Sequence, residues 1–254
     1  MSEPLVELRE VTKSYGPFDA LRGVGFAVRA GSVTCVLGDN GAGKSTLIKV
    51  LAGLHRQTSG QLLIDGEEVT FSGPRDALDH GIATVYQDLA VVGQMSVWRN
   101  FFLGQELKGR LGWLRVDEMR ETTARALVEM GIDIPDVDVP VDSLSGGQRQ
   151  VLAIARAVHF GARLLILDEP TAALGVKQSG MVLRLIAAAR DRGLGVVFIT
   201  HNPHHAWLVG DRFVLLNLGR QTMDAAHDET SLDELTLEMS GGGELEEISE
   251  QLRA

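Results

Sequence analysis

The stretch "GDNGAGKS", from Gly38 to Ser45, constrains this chain more than any other. It follows the apolar, strand-like run "SVTCVL" and opens a segment from Gly43 to Leu54 with apolar residues at Leu47, Val50 and Leu51, the spacing of a helix. Two glycines four residues apart, then lysine and serine, let backbone N–H groups turn inward on phosphate oxygens, and the helix start adds its positive end. Lys44 would neutralise the outer phosphates and the Ser45 hydroxyl would ligate Mg²⁺. The cradle takes in Gly38, Asn40, Gly41, Ala42, Gly43, Lys44, Ser45 and Thr46. A strand, a glycine loop and a helix in that order belong to an α/β fold.

The rest of the chain reads in the same style. "LVELREVTKSY" and "VGFAVRAGSVTCVLG" alternate like strands, "QLLIDGEEV" turns as a hairpin on "DG", and "GIATVYQ" is a short strand. From about 91 to 160 the pattern is helical and more polar. Its clearest helix is "VDEMRETTARALVEMG", stopped by Gly131. "RLLILDEP" is a continuous apolar run suited to a strand buried on both faces. "VKQSGMVLRLIAAARDRG" is a helix, "LGVVFITH" a strand, and "DRFVLLNLGRQTMDA" a closing hairpin. Strands alternating with helices imply a mostly parallel sheet, with the 91–160 stretch inserted as a helical subdomain in one domain spanning 1–254.

With 254 residues, 44% of them hydrophobic, the chain can bury a large core. A net charge of −10 argues against broad electrostatic capture of nucleic acid. Cys35, the only cysteine, lies in an apolar run and reads as a buried, inert thiol. The start shows no secretory signal, and no apolar run of about 18 residues offers a bilayer span, so the expected place is the cytoplasm, with any membrane reached through a partner.

Two carboxylates close the buried strand. Asp168 stands where a Mg²⁺-organising carboxylate is wanted, and Glu169 beside it could orient and activate water. Taken singly, His201 reads as a satisfied strand-end histidine and Gln87 as a solvated strand-end glutamine, while Tyr15 has an ordinary strand aromatic as its alternative. A second glycine-rich anion site, "LSGGQRQ" from Leu144 to Gln150, opens another helix about a hundred residues after the first.

The order of these motifs resembles the nucleotide-binding subunit of ABC (ATP-binding cassette) transporters, over nearly the whole chain. "GDNGAGKST" is similar to its Walker A, "YQD" to its Q-loop, "LSGGQRQ" to its signature, "LLILDEP" to its Walker B and "ITH" to its H-loop. The resemblance implies a P-loop NTPase core with a mostly parallel sheet, an antiparallel β-subdomain and an inserted α-helical subdomain. It implies ATP and Mg²⁺ as cofactors, Tyr15 stacking on adenine, Glu169 as general base, Gln87 and Asp168 attending Mg²⁺ and water, and His201 on the γ-phosphate. It also implies a head-to-tail homodimer. Ser145, Gly146, Gly147 and Gln148 of one cassette would close over the ATP held by the other's Lys44, which gives two distant glycine motifs two different ATP molecules.

"EPTAAL" followed by "VK", "FFLGQE" (Phe101 to Glu106), "THN" at 200–202 and "LTLEMSGG" resemble the subgroup that imports simple sugars, in a one-cassette form. That implies two permease subunits, an extracytoplasmic sugar-binding protein and a peripheral position on the cytoplasmic face of the membrane. The groove from Gln87 to Trp98 would receive the permease's coupling helix, though Trp98 reads equally as subdomain core. Gly175 departs from the pattern, since many members carry aspartate there. An exporter's cassette and a cluster-assembly ATPase are the competing readings.

Overall fold

The computed structural model describes residues 3–131, 134 and 136–240. β1 (Val6–Tyr15) turns into β2 (Phe18–Val28), and β3 (Val33–Leu37) leads through the glycine loop into α1 (Lys44–Leu51). β4 (Ser59–Ile64) and β5 (Glu67–Glu68) follow, then α2 (Pro74–Asp79) and β6 (Ile82–Val85). α3 (Val97–Phe101), α4 (Val116–Glu129) and α5 (Gly146–His159) come before β7 (Leu164–Asp168). α6 (Val176–Asp191), β8 (Gly195–Thr200) and α7 (Pro203–Val209) precede the hairpin of β9 (Arg212–Asn217) and β10 (Arg220–Ala226), and α8 (Leu232–Met239) comes last.

The strands form two sheets. Six lie in the order β10-β9-β3-β8-β7-β6, with β9 to β6 parallel and β10 antiparallel on the edge. Four form an antiparallel sheet, β2-β1-β4-β5. The fold class expected from the sequence is therefore the one observed. The DG turn is a two-residue hairpin with φ of 50° at Asp65 and 80° at Gly66, the left-handed pair that matches strand twist. The same device, Leu218 at 46° and Gly219 at 80°, joins β9 to β10. Gly131, at φ 80°, ends α4 as its position predicts.

Strand periodicity divides the core in two. Successive side chains of β7 point to opposite faces, so Leu165 and Leu167 join the helices α3 to α7 while Leu164 and Ile166 join the antiparallel sheet and α1. β8 repeats the division, with Val196 and Phe198 on the first side and Val197 and Ile199 on the second. A strand buried on both faces needs an apolar residue at every position, which explains the unbroken "LLIL". Cys35 lies in the first cluster, where burial pushes its thiol pKa up.

Trp98 belongs to the core. It is 4% exposed, and its Nε1 donates to Asp138 at 2.8 Å, a carboxylate also gripped by Arg120. Among the described residues no helix is long and apolar enough to cross a membrane. The two final glycines of "LTLEMSGG" lie outside the described residues.

Candidate functional site

The glycine loop is built for close backbone approach. A Cβ on Gly38 would stand 2.3 Å from the Leu216 carbonyl oxygen, and one on Gly43 would stand 2.7 Å from that of Ala20. Gly43 also adopts φ 107°, a conformation costly for other residues, and caps α1 without any side-chain bond. The first amides of α1 therefore carry no side-chain cap. Lys44 is 8% exposed, and its ammonium donates to the carbonyls of Gly38 and, at 3.1 Å, Asp39. Burial lowers its pKa, while the carboxylates of Glu169, Asp39 and Asp168 oppose that shift.

A cavity of about 280 Å³ joins this loop to the end of β7. Asn40, Gly41, Lys44, Ser45 and Thr46 line it together with Gln87, Asp168 and Glu169. The parallel sheet makes that meeting possible, because loops at the carboxyl ends of neighbouring parallel strands converge at one edge. Asp168 is the last residue of β7, and burial together with the Glu169 charge raises its pKa against the pull of Lys44. Gln87 lies two residues beyond the end of β6.

Glu169 holds φ 47°, a left-handed backbone for a non-glycine residue. Its N–H donates to the Ile199 carbonyl at 3.0 Å and its carbonyl accepts from Ala172 at 3.0 Å, so both neighbours fix the bend. Its Oε2 stands 2.9 Å from Nδ1 of His201. His201 owes its place to the chain beyond β8. Asn202 donates its N–H to Thr200 Oγ1 at 3.1 Å and its side chain caps α7 by accepting from His205 N–H, with Pro203 at the first helical position. The structure thus brings Glu169 and His201 side by side, though Oε2 makes no aligned hydrogen bond, a proximity absent from the sequence reading. Strained backbone of this kind costs about 1–3 kcal/mol and persists at functional positions.

Other expected residues stand apart. Ser145 caps α5 in a reciprocal box, donating its N–H to Gln148 Oε1 at 2.9 Å and accepting from Gln148 N–H at 3.3 Å. Gly147 is buried with Met181 and Gln178 close by, where a Cβ would lie 3.0 and 3.2 Å from them. Ser145, Gly146, Gly147 and Gln148 are not among the residues lining the cavity of their own chain's Lys44. Gly146 lines a neighbouring cavity of about 300 Å³ that Gln87 and Glu169 share.

Phe18 lines the Lys44 cavity, and Tyr15, its partner in the β1–β2 register, does not. Tyr15 meets the His55 ring edge-on at 5.7 Å with Lys13 Nζ 5.1 Å from its centroid. Sequence reading missed Phe18, which is 60% exposed; the available sign was an aromatic directly after the Gly16–Pro17 turn. Gly175 caps α6 at φ −69°, ψ 163°, with no atom closer than 4.0 Å to a built Cβ, so nothing there requires glycine.

Taken together, the cavity can hold a polyphosphate. Lys44 and the α1 amides meet the anion, while Ser45, Gln87 and Asp168 supply oxygen donors of the kind Mg²⁺ prefers. Glu169 supplies a carboxylate that can take a proton from water.

Comparison with known proteins agrees. The family model described as ABC transporter matches residues 21–172. The xylose/arabinose import ATP-binding protein XylG of Sulfolobus acidocaldarius is 43% identical over 232 residues, 91% of this chain and 92% of that protein. The fructose import ATP-binding protein FrcA of Rhizobium meliloti is 41% identical, covering 95% and 96%. The ribose import ATP-binding protein RbsA of Hahella chejuensis is 37% identical, but this chain spans only 47% of its length. Among solved structures, the ADP conformation of the cassette MJ1267 superposes with a TM-score of 0.81 at 22% identity, covering 96% of this chain and 98% of that one. A dimeric post-hydrolysis state of the cassette MJ0796 with ADP and Pi gives 0.74 at 26% identity, covering 87% and 98%. This chain belongs to the ABC transporter family.

Proposed function

We propose that this chain is the ATP-hydrolysing subunit of an importer for a simple sugar, working as a homodimer beneath two permease subunits served by an extracytoplasmic sugar-binding protein. The observation that carries the chemistry is the single cavity bringing Lys44, Ser45, Gln87, Asp168 and Glu169 together. The sugar assignment rests on relatives whose names specify xylose or arabinose, and fructose, import. The whole chain acts as one cassette, with 91–160 as its inserted helical subdomain on the cytoplasmic face of the membrane.

Lys44 and the α1 amides hold the β- and γ-phosphates, and the adenine sits at the β1–β2 end beside Tyr15 and Phe18. Mg²⁺, held by Ser45, Gln87 and Asp168, would neutralise charge on the transferring phosphate. Glu169 accepts a proton from the attacking water, and His201 steadies that carboxylate and reaches toward the γ-phosphate. The second copy supplies Ser145, Gly146, Gly147 and Gln148, whose helix end meets the γ-phosphate. An apolar recess of about 230 Å³ between α5 and β6, lined by Val85, Leu89, Asn100, Arg156 and Phe160 among others, suits the permease's coupling helix.

The test is sugar-dependent turnover. Reconstituted with the permease and binding protein of its own system, the cassette should hydrolyse ATP several-fold faster when the binding protein carries a pentose or fructose. Stimulation by no sugar, with hydrolysis otherwise intact, would leave the ATPase standing and remove the sugar importer.

A further inference from the structure

The segment just before α4 carries a feature that nucleotide chemistry leaves unused. Residues 108–114 fold into a small, ordered hairpin: Lys108 bridges Leu114 antiparallel, Gly109 N–H donates to the Trp113 carbonyl at 2.8 Å, and Arg115 N–H to that of Leu107 at 2.9 Å. Gly112, at φ 80°, makes the tight turn. Three of the side chains on this hairpin are both apolar and exposed. Leu111 is 87% exposed, Trp113 78% and Leu114 46%.

Water is a poor solvent for a rigid apolar tip, so a surface that tolerates these side chains needs a reason for them. The neighbouring charges point to one. Lys108 and Arg110 are exposed and, among the described residues, make no ion pair. Of the acids next along, Glu118 pairs with Arg115 at 2.5 Å and Asp117 with Arg120 at 3.5 Å, while Glu106 accepts from the Gly104 amide at 2.9 Å and offsets part of the Lys108 charge, leaving Arg110 uncompensated. A chain of net charge −10 thus presents a locally cationic, tryptophan-bearing point. Tryptophan beside leucine, flanked by lysine and arginine, is the chemistry of the lipid headgroup layer, where the ring enters the interface and the cations meet phosphate. A protruding tip enters a soft bilayer surface without a matching recess, which a folded protein partner would have to supply.

We propose that the 108–114 hairpin is a direct membrane contact, with Leu111 and Trp113 entering the headgroup layer of an anionic bilayer while Lys108 and Arg110 pair with lipid phosphates. The orientation rests on the importer reading. Gln105, three residues before the hairpin, lines the recess assigned to the permease, so the base of the hairpin lies close to that recess.

Flotation of the full-length protein with phosphatidylglycerol–phosphatidylcholine vesicles, compared with phosphatidylcholine alone, tests this. The parent should partition onto the anionic vesicles, and Leu111→Ser/Trp113→Ser and Lys108→Glu/Arg110→Glu should each lower that partition at least about tenfold. The charge variant removes no packed side chain, so it reads the contact even where the apolar variant folds poorly. Trp113 emission should shift to the blue on anionic vesicles, and the shift should vanish in Trp113→Phe. ATP hydrolysis in solution should be unchanged in all of them. No flotation, equal flotation on neutral lipid, or variants that float like the parent would overturn the proposal. So would variants that keep vesicle binding but lose the permease, which would make the hairpin a protein contact. Failure of the nucleotide-site reading looks different: flotation would persist while ATP was neither bound nor hydrolysed.

Discussion

Replacing Glu169 with glutamine should leave ATP binding near its parent value and lower hydrolysis by about 10²–10⁴, the usual contribution of a general base. Glutamine keeps the shape and the left-handed bend but cannot accept the water's proton. His201 Nδ1, 2.9 Å from the carboxylate oxygen, would then face an uncharged amide. Unspent ATP should hold two copies together, so gel filtration with ATP and Mg²⁺ should show a dimer that the parent lacks. Parent-like turnover in Glu169→Gln would remove that carboxylate from the chemistry.

Lys44→Ala should fail one step earlier. The ammonium is already desolvated and bonded to the Gly38 and Asp39 carbonyls, so a phosphate gains a positioned donor at little reorganisation cost. Hydrogen bonds to charged groups are worth about 1.5–3 kcal/mol, which corresponds to roughly 10- to 150-fold in affinity. Equilibrium titration with an ATP analogue measures it. Unchanged affinity would mean the α1 amides carry the triphosphate alone.

Much of this site is legible in the sequence because its parts are local. The glycine loop sits between its strand and helix, and one apolar run delivers Asp168 and Glu169 together. Turn chemistry is local as well, which is why "DG" announces the β4–β5 hairpin. The Glu169–His201 contact is different. It depends on the parallel register that sets Asp168 against Ile199 and lets Glu169 N–H reach the Ile199 carbonyl, and no short window encodes that pairing. Strand ends also shifted. The chain leaves β6 at Val85, so Gln87 stands in a loop free to face the cavity. Three short helices escaped a reading tuned to longer periodic runs, although their signals are present: Pro74 begins α2, Asn202 and Pro203 begin α7, and Ser231 caps α8. Trp98 was ambiguous because an indole suits a groove and a core equally, and only Asp138, forty residues away, decides between them.

In the proposed dimer each ATP is shared between two chains, the P-loop of one and the signature helix of the other. Mixing tests it most directly. Lys44→Ala disables the P-loop; Ser145→Arg breaks the α5 cap and places a bulky cation at the signature. Each protein alone should be inactive. In a mixed dimer one site combines both lesions, while the other pairs the intact P-loop of the Ser145→Arg chain with the intact signature of the Lys44→Ala chain. ATPase activity of the mixture, measured with the permease present, should rise above the sum of the two variants. If each chain instead held a complete site, every site in a mixed dimer would carry one lesion, and mixed dimers shown to form would recover nothing.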